Sequence, residues 1–182
     1  MSDASMPGYG PGRWTIDPAR SEVCFTVRHM MFSKVRGRFT DFEGWIVTGD
    51  DLPGSSVQAS IDLASIDTGD SQRDEFIRSA DVGGASDHPA MTYVSSEVRP
   101  DGDGWVVDGE LTIRDVTRAV PLALEITGFG PDPSGGTAAG FRATAEINRR
   151  DFGVEIPMDG AGMLVGETVW ISLDIRAVLQ ES

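Results

Sequence analysis

The sequence predicts an all-β protein: an eight-stranded antiparallel barrel with one short helix near residues 70–80. Three observations lead there. Apolar and polar residues alternate over stretch after stretch, the period-two signature of strands with one dry face and one wet face. Gly, Asp and Pro collect between these stretches, at 48–56 (TGDDLPGSS), 99–104 (RPDGDG) and 130–136 (GPDPSGG), where tight reversals need left-handed backbone or a fixed φ. Connections so punctuated are short, so sequence neighbours pair antiparallel, and a meander of about eight strands removes its own edges by closing.

Residues 1–12 are small and rich in Pro and Gly, a composition that predicts a disordered tail and leaves 13–180 as a single barrel domain. Strands are expected over 21–29, 37–47, 56–66, 90–98, 105–114, 119–129, 139–148 and 165–178. The third turns Val57, Ala59, Ile61 and Leu63 to one face. The sixth does so with Val120, Leu122, Leu124 and Ile126, and the seventh with Phe141, Ala143, Ala145 and Ile147. The eighth alternates Val169, Ile171, Leu173, Ile175 and Ala177 with Trp170, Ser172, Asp174 and Arg176. One segment breaks the pattern. GDSQRDEFIRSA (69–80) offers Asp70 or Ser71 as an N-cap, acids in its first turns, and Phe76 and Ile77 as apolar contacts, so it reads as a helix crossing one end of the barrel.

Composition excludes several function classes. At 182 residues, 40% hydrophobic and 24% charged, the chain can bury a full core. A net charge of −14 repels polyanions on average, which argues against nucleic acid as a partner. No apolar run approaches the ~18 residues of a membrane helix, so no stable membrane insertion is expected. The N-terminus lacks a basic and then apolar leader, which points to a cytoplasmic location. Cys24 is the single cysteine and sits in a strand-like run, where it reads as a small buried hydrophobe. His29 and His88 lie too far apart for a common metal motif, so neither a metal site nor a cofactor is expected.

Two stretches carry chemistry above this background. RHMMFSKVRGRF (28–39) holds four of the fifteen Lys and Arg residues, plus His29, and no carboxylate. Met30, Met31, Phe32, Val35 and Phe39 are interleaved with them. NRRDFG (148–153) sets Arg149 and Arg150 before an Asp and a Phe-Gly pair. Such arginines suit an anionic head group, and they equally suit tying a loop to backbone carbonyls and Asp151. The flexible side chains of Met30, Met31, Met91, Met158 and Met163 fit either an irregular apolar ligand or a core.

Five motifs in order give the chain a family resemblance. WTIDPARSEVCFTVRHMMFSKVRGRF, IDLASIDTGDSQRDEFIRSADV, GELTIRDVTRAVPL, NRRDFGV and VGETVWISLDI resemble the corresponding elements of the YceI family of lipocalin-like, polyisoprenoid-binding proteins. The resemblance implies an elongated eight-stranded barrel around a long apolar tunnel, and binding of an isoprenoid, quinone or fatty-acyl amphiphile without a shared catalytic reaction. The expected function is therefore binding, transport or storage of such a molecule. Its tail is assigned to Val23, Phe25, Val27, Phe39, Phe42, Ile113 and Phe152, with Phe76 and Ile77 capping one end. Arg28, His29, Arg149 and Arg150 are the candidates for its head. Two alternatives stay open: an enzyme acting on the lipid with His29 as acid or base, and a ligand-free barrel working as a homodimer or through a protein partner.

Overall fold

A computed structural model of the chain describes residues 9–29, 33–78, 90–113, 115–133, 135–153 and 165–180. The first long strand is made of β1 (Gly12–Ile16) and β2 (Glu22–His29), and the second of β3 (Ser33–Phe39) and β4 (Phe42–Thr48). The third combines β5 (Ser56–Asp62) with the short β6 (Ile66–Asp67) and leads to the helix α1 (Ser71–Arg78). Then follow β7 (Ala90–Asp101), β8 (Gly104–Ile113), β9 (Val116–Ala119), β10 (Leu122–Pro131), β11 (Thr137–Asn148) and β12 (Val165–Leu179). Every pairing is antiparallel between neighbours, and the path β1-β4-β5-β7-β8-β10-β11-β12 returns to β1. Trp14 shows the closure, paired with Ile46 on one side and Leu179 on the other. The eight-stranded barrel expected from the alternation is therefore present.

The differences from the sequence have local causes. The first strand begins at Gly12, nine residues earlier than periodicity suggested, because a 3₁₀ turn at Pro18–Arg20 interrupts it. There the Asp17 carboxylate accepts from Ala19 N and pairs with Arg20 at 2.6 Å, and that guanidinium holds the Asp17 carboxyl below the usual range. Arg20 also reaches Asp132 at 2.7 Å, fastening this turn to the β10–β11 connection. Of the residues assigned to the tail, Tyr9 docks on the barrel by donating to Gly49 O at 2.8 Å, and Gly12 is already strand. The predicted sixth strand, 119–129, starts later, at Leu122, and a short strand that periodicity did not suggest precedes it. β9 folds back on β8, with Thr112 opposite Thr117, and Pro121, lacking an N–H, separates it from β10.

The helix is where the sequence placed it, over 71–78, with the Asp70 carboxylate accepting from Gln72 N at 3.0 Å. Asp74 has a second task. It is buried, and it accepts from Thr68 N at 3.0 Å and from Thr68 Oγ1 at 2.5 Å, locking the helix to the end of β6.

Candidate functional site

The strand pattern dictates what the barrel encloses. Inward residues from every wall meet, and they are overwhelmingly Val, Ile, Leu, Phe and Ala, so the interior repels water and gains by packing against apolar atoms. They leave a cavity of about 350 Å³. It runs lengthwise: β11 contributes Phe141, Ala143 and Ile147 to its wall, a span of roughly 20 Å along the strand.

The two ends differ. At one, Trp14 is fully buried and donates its indole N–H to Thr48 Oγ1 at 2.9 Å. Phe129 packs edge-on against Trp14, Phe141 and Tyr9 at 5.4–6.0 Å between centroids. Leu52, Ser55 and Thr48 line the cavity near that plug, and the Ser55 and Thr48 hydroxyls are engaged with backbone. At the opposite end, where β2, β8 and β11 finish, Arg149 enters the lining. It is the one charged side chain among the described lining residues. Although 8% exposed, it is held by its Nε–H donating to Gly166 O at 3.1 Å.

The local turn explains how Arg149 gets there. Asn148 caps the 3₁₀ turn Arg149–Phe152 by accepting from Arg150 N at 2.9 Å. Gly153, at φ +70°, ends it in a conformation that favours glycine. Arg149 is thereby turned inward, while Arg150 stays outside and pairs with Glu167 at 3.2 Å rather than with Asp151.

The residues assigned from sequence are divided by this geometry. Val23, Phe25, Val27, Phe39, Phe42, Ile113 and Arg149 all line the cavity. Phe152 does not: it is fully buried, packed into the cluster with Leu111, Ile113 and Val120. Arg28 is on the outer face, its guanidinium 5.9 Å from the Trp170 ring centroid. The side chains of His29, Phe76 and Ile77 lie outside the described residues. The assignment omitted Tyr93, Val107 and Leu111 of β7 and β8, which line the cavity too. The regular alternation in VVDGELTI was the signal that could have found the last two.

Tyr93 is the polar residue of the middle wall. Its hydroxyl donates to Val120 O at 2.8 Å and lies 3.3 Å from Val107 O, so it is satisfied without a ligand. Burial, reinforced by the Asp108 carboxylate, pushes its phenol well above the ordinary value of 10.0.

Comparison with known proteins agrees with this architecture. The YceI-like domain matches residues 14–177. The chain is 34% identical over 142 residues to a UPF0312 protein of Pseudomonas aeruginosa, covering 78% of this chain and 74% of that one. It is 35% identical over 144 residues to the protein YceI of Escherichia coli O157:H7, covering 79% and 75%. Among solved structures, Burkholderia cenocepacia BcnA superposes with a TM-score of 0.78 at 26% identity, over 90% of this chain and 99% of that one. A polyisoprenoid binding domain from Saccharophagus degradans shares the fold, with a TM-score of 0.72 at 15% identity over 94% and 100%. With the family matched across nearly the whole barrel, the chain belongs to the YceI-like domain family.

Proposed function

We propose that the barrel binds the tail of a long-chain amphiphile, of isoprenoid, quinone or fatty-acyl type, and stores or carries it without chemical change. The observation that carries this reading is the long apolar cavity, plugged by Trp14 at one end and bordered by the Arg149 guanidinium at the other. A cavity with that polarity suits a molecule with the same asymmetry. About ten buried methylenes contribute roughly 8 kcal/mol before the entropy of ordering the chain is subtracted. We assign the head to Arg149, which lines the cavity, since Arg28 and Arg150 face outward. Neither Asp, Glu, His nor Lys occurs among the described lining residues, which favours holding over chemistry. A protein of the same fold is named for polyisoprenoid binding, which supports the class of ligand.

Native mass spectrometry of the purified protein, followed by solvent extraction, tests this directly. A long-chain amphiphile is expected to leave with the organic phase, and the delipidated barrel is expected to take up an added polyprenyl alcohol, quinone or fatty acid. An empty barrel that takes up none of the three overturns the proposal.

A further inference from the structure

We propose that the outer face of β2 and β3 docks the protein on an anionic lipid bilayer. Residues paired directly across antiparallel strands point to the same side of the sheet. Register sets Arg28 opposite Lys34, Thr26 opposite Arg36 and Cys24 opposite Arg38. The intervening pairs, Val27 with Val35 and Val23 with Phe39, line the cavity, so the cations stand outside. All four are exposed. On the adjoining strand Trp170 is paired with Thr26 and shares their face, with Arg28 over its ring.

This grid inverts the charge of a chain that carries −14 overall. Like charges directly opposite weaken a sheet, and the barrel supplies little to offset Arg28 beside Lys34. No carboxylate among the described residues pairs with Arg28, Lys34 or Arg36, and Arg38 has Asp67 at 3.5 Å. Glu146, opposite Trp170, borders the grid on the β11 side. An external anionic partner resolves the conflict. Trp170 favours a bilayer over a soluble polyanion, because a half-buried indole beside cations is suited to headgroup depth, one side greasy and one wet. Lys34 and Arg28 also lie at the Arg149 end of the barrel, so docking brings that end of the cavity to the lipid. Glu22 and Asp174, paired two positions beyond Cys24 on the same outer face, border the grid toward the Trp14 end, so Arg28, Lys34 and Arg36 form its cationic centre. The docking face is separate from the cavity, so it stands or falls apart from the cargo assignment.

Vesicle sedimentation tests the proposal, using phosphatidylcholine alone and phosphatidylcholine mixed with phosphatidylglycerol. The protein is expected to sediment only with the mixed vesicles and to release as salt rises. Each basic residue near an anionic surface strengthens binding roughly fivefold, so Lys34→Gln with Arg36→Gln is expected to weaken it about 25-fold. Arg13→Gln with Arg142→Gln changes net charge equally at other exposed sites and is expected to leave binding nearly intact. Trp170→Ala is expected to weaken vesicle binding while leaving any binding to a short DNA duplex unchanged. No preference for the mixed vesicles, or equal loss from both arginine-containing pairs, overturns the proposal. So does Trp170→Ala without effect on vesicles, which leaves only a general polyanion patch.

Discussion

Tyr93 sits in the wall of an apolar cavity with its hydroxyl turned into the strands rather than toward the space. Its phenol has the folded value raised above 10.0, so the folded protein holds that proton longer than the unfolded chain does. The sign follows: stability is unaffected below about pH 10 and falls as pH rises through that value, because the unfolded chain ionises first. The protein has two tyrosines. Titration by phenolate absorbance is expected to show Tyr93 ionising only as the barrel unfolds, and Tyr93→Phe is expected to lower stability by about 1 kcal/mol through the orphaned Val120 carbonyl. At this scale the candidate site was half legible. Side chains on regular strands could be assigned a direction by counting in twos, which is why Val23, Phe25 and Val27 fall on the cavity wall. Side chains of NRRDFG could not, because a 3₁₀ turn follows no period of two. Arg149 goes in, Arg150 goes out, and Phe152 packs into the core instead.

Among the elements, β7 and β8 show how closely the wall is fitted. A methyl group on Gly109 would stand 2.6 Å from the Tyr93 ring and 2.8 Å from Val94 O, so glycine makes the room in which the ring lies flat along the neighbouring strand. Gly109→Ala is expected to destabilise the barrel by about 1–3 kcal/mol, read as a lower midpoint in urea, and to loosen the Tyr93 hydroxyl bonds along with it. Strand pairing was legible wherever one face met an apolar interior and the other met water, as in β5, β10, β11 and β12. It failed at interruptions. The 3₁₀ turn after Asp17 hid β1, and Thr40, hydrogen-bonded to Ser65, marks a break between β3 and β4 that no residue pattern announces.

For the whole molecule, the cavity is the property that the strands jointly create, and filling it separates holding a ligand from holding the fold. Ile171→Trp places a larger ring in existing space on β12. The expected outcome is loss of uptake of an added long-chain lipid with little change in thermal midpoint, since an occupied void exacts less strain than an overpacked core. Closure has a further consequence in time. β12 is hydrogen-bonded to β1 and β2 as well as to β11, so the wall around the interior is incomplete until residue 179 has been synthesised. Until then β2 lacks a partner that lies more than 130 residues away in the chain. Such distant pairing folds slowly, and until it forms the apolar inner face has no closed wall around it.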